Sequence, residues 1–211
     1  MHSAKLVWIT PDSEKMIAYI ARVSNPKNQN NEETAERLLR YCIKNKHWSI
    51  FELASMCVEI ETTRAISPQI LRHRSFSFQE FSQRYAPAMA VELPHLRRQY
   101  TKNRQNSIDD IAEETAEYYE HRIEDHFRES EALYESLLHS GVAKECARAV
   151  LPINTGTRMY MSGTIRSWLH YCDLRAWHGT QWEHTQIALN CMDILKDVVP
   201  TVARAMWPET L

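Results

Sequence analysis

The pattern of apolar and polar positions divides the chain into helical and strand-like stretches. After Asp12 and Ser13, either of which can cap a helix, Met16, Ile17, Ile20 and Ala21 fall on one face and predict a helix to about residue 25. Ala35, Leu38, Leu39, Cys42 and Ile43 repeat at helical spacing and predict a second helix over 32–46. Residues 54–62 alternate instead. Met56, Val58 and Ile60 lie on one side and Cys57, Glu59 and Glu61 on the other, the pattern of a half-buried strand. Pro68 suits the first turn of a short helix that ends near His73. A long helix is expected from 109 to about 140, carrying Ile111, Tyr118, Tyr119, Ile123, Phe127, Leu133, Leu137 and Leu138 among many acids. A helix over 142–150 stops before Pro152. A strand over 157–163 and helices over 164–175 and 181–199, the last ending near Pro200, complete the series. The sum is an α+β chain, rich in helix, with a few strands.

No repeat, low-complexity tract or linker interrupts this pattern, so residues 1–211 are read as one domain. Such a length buries a real core without disulfides. The five cysteines form no C-x-x-C pair and are odd in number, which indicates reduced, mostly buried thiols in a cytoplasmic protein. No apolar run reaches the ~20 residues a membrane helix needs, and the N-terminus lacks a signal-peptide core. Neither a membrane nor a metal is expected as a partner. Glycine is scarce, 4 in 211. None stands in G-x-G-x-x-G or P-loop spacing, so a phosphate would have to be held by side chains.

Charge changes the picture locally. The net charge is only −2, but residues 64–104 hold eight Lys/Arg against two Asp/Glu, and 105–145 hold three against twelve. A basic block followed by an acidic one suggests an anionic ligand at the first and a solvated face at the second. Within the basic block, residues 72–85 (RHRSFSFQEFSQRY) interleave three arginines, a histidine, three serines and a glutamate with aromatic rings. A guanidinium fork fits phosphate bidentately, and hydroxyls add neutral donors. By composition alone the stretch is also compatible with a wet basic loop or a patch for single-stranded nucleic acid. Arg148 could pair with Glu145, and Arg175 could cap its helix C-terminus.

The spacing Arg72-His73-Arg74, two residues, Ser77, four residues, Ser82, one residue, Arg84 fills every fixed position of the signature RHR-x2-S-x4-S-x-R. In this the chain resembles the flavin-dependent thymidylate synthases, the ThyX family. Other segments agree in order and spacing. They are Ala21-Arg22-Val23-Ser24, His47 to Glu52 (HWSIFE), Gln69 three before Arg72, Ala147 to Pro152 (ARAVLP), Arg166-Ser167, Leu174-Arg175 and Gln181-Trp182-Glu183. Two places depart. Thr164-Ile165 stands where Asn-Ala often precedes Arg-Ser, and Gly179, not His178, falls where many relatives carry histidine.

The resemblance implies a helix-rich single domain around an antiparallel sheet, assembled as a homotetramer with active sites shared between subunits. It implies reductive methylation of dUMP to dTMP, with methylenetetrahydrofolate as carbon donor and NADPH reducing a bound FAD. It assigns dUMP to Gln69, Arg72, Glu80, Phe81, Ser82, Gln83, Arg84, Arg148 and Arg175. It assigns FAD to Ser49, Arg72, His73, Arg74, Glu80, Thr164, Ile165, Arg166 and His170. Arg175 is the expected catalytic residue, lying against the uracil ring. No cysteine nucleophile is used. Two rivals follow: a flavin-dependent hydroxymethylase of pyrimidine nucleotides on the same scaffold, and a basic nucleic-acid-binding protein.

Overall fold

The computed structural model describes residues 2–177 and 179–208. Four strands form one antiparallel sheet: β1 (Ser3–Ile9), β2 (Ser55–Thr63), β3 (Ser77–Glu80) and, later in the chain, a strand over Gly156–Thr164. A two-stranded ribbon, β4 (Arg98–Gln99) with β5 (Ser107–Ile108), makes that last strand β6. The sheet order is β1-β2-β6-β3.

One face of the sheet is apolar. Met56, Val58, Ile60, Met159 and Met161 are fully buried there, as the alternation of β2 and β6 requires. Over this face lie α6 (Ile165–Arg175), α7 (Trp182–Val198) and α8 (Pro200–Met206), joined by α1 (Ser13–Ala21) and α2 (Ala35–Lys44). The other face carries Glu59, Glu61, Arg158 and Tyr160. The Tyr160 hydroxyl donates to Glu59 at 2.6 Å, and Arg158 pairs with Glu61.

Several expected boundaries move, each for a local reason. Helix α1 ends at Ala21 rather than near residue 25, because the Arg22 guanidinium binds the Asn31 carbonyl and the Thr34 hydroxyl and turns the chain back. Asp12 precedes α1 in the left-handed region (φ +48°) and makes no side-chain cap. The short helix α3 (Ser67–Ile70) ends before Arg72. The long helix α4 is Glu113–His139, starting later than expected because Asp109 and Asp110 are held by His95 and Arg98. Tyr134 is its single buried residue. α5 (Lys144–Ala147) continues as a 3-10 turn over Arg148–Val150. Near Pro200 the chain does not leave the helical layer; it bends and continues as α8.

Strand β1 has no counterpart among the expected elements. Its register slips between Leu6 and Trp8, so a bulge interrupts the alternation. Strand β3 likewise has no counterpart among the expected elements. Polar Ser77 and Gln79 alternate with Phe78 and Glu80 on the sheet edge, which needs no apolar run.

Candidate active site

The signature segment is laid along α6. At one end the Arg175 Nε donates to His73 Nε2 at 3.0 Å. Arginine is always a donor, so His73 Nε2 is unprotonated and its ring is neutral with the proton on Nδ1. Burial, then the Arg175 charge, pushes the His73 pKa down to about 4. At the other end the Ser167 hydroxyl donates to the Ser75 carbonyl at 3.4 Å. Between them Phe76 meets Trp168 edge-on at 4.8 Å and Tyr171 at 6.0 Å. This packing explains a glycine. A Cβ at Gly163, on the neighbouring strand, would lie 2.5 Å from Phe76 Cδ1.

Beneath His73 the rings of Tyr171 and His184 are fully buried and joined by a 3.1 Å hydrogen bond between the Tyr171 hydroxyl and His184 Nε2. Burial, reinforced by Arg175 and His73, pushes the His184 pKa down to about 3, so this ring too is neutral. Beside the pair, the Gln69 amide donates to Gln181 Oε1 at 2.7 Å. Gln181 precedes α7, whose first turn is fixed by a buried ion pair, Arg97 to Glu183 at 2.7 Å. Burial alone would raise the Glu183 carboxyl; Arg97 overcomes this and holds it below its ordinary value.

At the start of α6, Thr164 Oγ1 accepts the Ser167 N–H at 3.3 Å and caps the helix. Arg166 pairs with Glu52, and His170 packs edge-on against Trp48 at 4.7 Å. Burial, then Arg166, lowers the His170 pKa. The 3-10 turn over Trp48–Glu52 also presents Ser49 to solvent. Four residues assigned to FAD by resemblance therefore gather here: Ser49, Thr164, Arg166 and His170. Ile165 faces the core, fully buried, and its N–H is taken by the Ala54 carbonyl at 2.8 Å.

A second group lies at the far end of β3. Glu80 accepts from the Thr157 hydroxyl at 2.9 Å and pairs with Arg64 at 3.1 Å. Arg64 also donates to the Phe81 carbonyl at 2.6 Å, while the Phe81 N–H donates to the Arg158 carbonyl at 2.8 Å. Ser82 is exposed, Gln83 is buried, and Arg84 pairs with Glu145 at 3.1 Å. Glu145 thus faces Arg84, not Arg148. Arg72, Arg74 and Arg148 are exposed, and their guanidinium groups have no hydrogen-bond or ion-pair partner among the described residues. Among those residues, no hydrogen bond, ion pair or ring contact joins the Glu80–Arg84 group to the His73–Arg175 group.

Some contributors carry no signal in the motif. Arg64 stands sixteen residues before Glu80 in an ordinary strand end, and Gly163 and His184 look like packing positions. Gln181 and Glu52 could have been found, since both lie in segments that match the family. His178 lies outside the described residues; Gly179 beside it has φ +104°, a conformation that favours glycine. The basic block is also not a continuous cationic stripe. Arg64, Arg84, Arg97 and Arg98 are each paired with an acid, two of them with acids of the acidic block, Glu145 and Asp110. The cysteines are free. Burial raises the Cys172 and Cys191 thiols far above their ordinary value, which removes them as nucleophiles.

The chain is similar to several known proteins. A UMP/dUMP methylase from Streptomyces cacaoi, solved with 5-Br dUMP, superimposes with a TM-score of 0.87 over 99% of this chain and 95% of its own, at 24% identity, and so shares the fold. A protein of Paramecium bursaria Chlorella virus 1, named a probable flavin-dependent thymidylate synthase, is 50% identical over 97% of this chain and 98% of its own length. The flavin-dependent thymidylate synthase of a Synechocystis strain is 52% identical over 92% of this chain and 89% of its own. The family described as Thymidylate synthase complementing protein, Thy1, matches residues 5–201. With its signature arginines in place and relatives alike over nearly its whole length, the chain belongs to the family of flavin-dependent thymidylate synthases.

Proposed function

We propose that this chain converts dUMP to dTMP, taking the one-carbon unit from methylenetetrahydrofolate, with a bound FAD that NADPH reduces. The observation that carries this reading is Arg175. It is half-buried and anchored through Nε at His73, and its Nη atoms make no hydrogen bond among the described residues. A guanidinium so held can face a pyrimidine ring and stabilise negative charge that develops on it without reorganising, commonly the main source of an enzyme's rate enhancement.

A flavin dinucleotide carries two phosphates and flat rings, and the donor set fits it. Arg72 and Arg74 are exposed cations without acid partners among the described residues, and Ser49, His170 and Arg166 stand together at the start of α6. His73 and Thr164 complete the set, with Glu80 at the far end of β3 and Ile165 limited to backbone contact. When bound, FAD supplies the redox chemistry; the protein positions and polarises. For the nucleotide, Arg72, Arg84 and Arg148 neutralise phosphate, Ser82 adds a hydroxyl, and Gln69 is held by Gln181. Glu80 offers a carboxylate oriented by Arg64 and Thr157. Phe81 and Gln83 flank Ser82, where their backbone rather than the buried Gln83 side chain meets the ligand.

The two separate groups favour active sites shared between subunits of a homotetramer, one copy giving the His73–Arg175 half and another the Glu80–Arg84 half. Helix α4 supports assembly, since Tyr118, Tyr119 and Leu133 are exposed on it. Free thiols accord with a cytoplasmic location. The test is a visible spectrum of protein incubated with FAD, desalted, and titrated with dUMP. A retained flavin band that shifts with dUMP supports the reading; loss of flavin with no shift overturns it.

A further inference from the structure

His184 is an anomaly on its own helix. It occupies the buried stripe of α7 with Ile187, Ala188, Cys191 and Leu195, where helical periodicity asks for an apolar side chain. It is 0% exposed, and its Nδ1 has no hydrogen-bond partner among the described residues. A buried ring nitrogen left so costs stability, and leucine there would avoid the cost. What His184 does have is the Tyr171 hydroxyl, at 3.1 Å. Tyr171 in turn stands edge-on to His73, with ring centroids 4.9 Å apart at 81°, and His184 lies 6.3 Å from His73. His73 Nε2 is the acceptor that holds Arg175.

We propose that His184 is a positioning residue for the His73–Arg175 contact, acting through Tyr171. By engaging the Tyr171 hydroxyl it keeps that buried hydroxyl from competing with the Arg175 guanidinium for His73 Nε2. Without His184, the hydroxyl is free to turn toward the His73–Arg175 side, because an unpaired hydroxyl in the core seeks any acceptor. The role rests on the proposed function only in that Arg175 is the residue served.

The experiment uses the full chain as purified and compares wild type, His184→Leu, Tyr171→Phe and the double variant. Three readouts are taken: the ¹⁵N resonances of His73 in histidine-labelled protein, the melting temperature, and kcat and KM for dTMP formation. His184→Leu is expected to melt no lower than wild type, to shift the His73 Nε2 resonance, and to lose roughly ten- to a hundred-fold in kcat, as small misplacements at a site do. Tyr171→Phe keeps the ring and removes the competitor, so its His73 signal stays at the wild-type position. The double variant returns both the His73 signal and most of the rate. An unmoved His73 signal in His184→Leu overturns the proposal. So does a lowered melting temperature with no rescue in the double, which would mean simple core packing. If His184→Leu does not fold, a shifted His73 signal in Tyr171→Phe overturns it and an unshifted one supports it. If no protein forms dTMP, the proposed function fails while the resonances still decide this one.

Discussion

The two ends of the signature segment differ in how their charges are held. At the His73 end, Arg175 is anchored to a neutral ring, and behind that ring stand Phe76, Trp168, Tyr171 and His184. At the Arg84 end, the cations sit in water. Arg84 pairs with Glu145 across an exposed surface, and Arg148 pairs with none of the described residues. The first arrangement is built by folding one chain. The second is held by so little that an arriving dianion can replace it, since an exposed ion pair is worth about 0–1 kcal/mol. A preorganised group serves where charge develops during reaction; adaptable groups serve where a charged ligand must enter and leave.

The comparison is broken hardest at Arg175. Arg175→Ala is expected to abolish dTMP formation, a loss of at least roughly a hundredfold, with an unchanged circular dichroism spectrum. Normal turnover by that variant would remove Arg175 from the mechanism. Next comes the wall behind His73. Gly163→Ala forces Phe76 to move, because the new Cβ would stand 2.5 Å from its ring. A cost of about 1–3 kcal/mol in urea unfolding is expected, and an unaltered midpoint would mean that Phe76 is free to swing away.

The pH dependence sharpens the contrast further. His73 and His184 are held neutral in the fold, with pKa values of about 4 and about 3 against 6.5 for the unfolded chain. Above pH 6.5 neither state binds the proton, so stability is unaffected. Below it, the unfolded chain binds protons that the fold refuses, and stability falls until pH reaches about 3 to 4. His184→Leu should flatten this slope in melts between pH 6.5 and 4; an identical slope would assign it to other groups. The smallest effect belongs to Glu145→Gln. It frees Arg84, so the dUMP dissociation constant is expected to fall a few-fold, with stability changed by less than about 0.5 kcal/mol. Weaker binding would mean that Glu145 orients Arg84 for the ligand.

Legibility in the sequence followed the same division. Where a residue's environment is set by its own element, the pattern announced it: the alternation of Met56, Val58 and Ile60, or the stripe Leu39, Cys42 and Ile43. The signature located the arginines because motif spacing carries chemistry directly. What remained hidden depends on distant partners. Arg64 reaches Glu80 across strand edges, and Gly163 is empty because Phe76 needs the room. Strand β1 was obscured by its bulge, and β3 by being polar on a sheet edge. His184 was hidden most thoroughly, since a histidine within an apolar stripe looks like an ordinary core residue until Tyr171 is seen opposite.

Helix α4 extends 27 residues, about 40 Å, yet buries a single side chain, Tyr134. Strand β2, by contrast, is paired along both edges and covered on one face. Backbone amides exchange with solvent deuterium at a pace set by local opening, so α4 in a lone chain is labelled long before β2. The lag between the two becomes a clock for coverage. If other chains cover α4, as the proposed tetramer requires, its labelling slows toward that of β2, and the ratio of the two rates reads out how much of the population is assembled at any concentration.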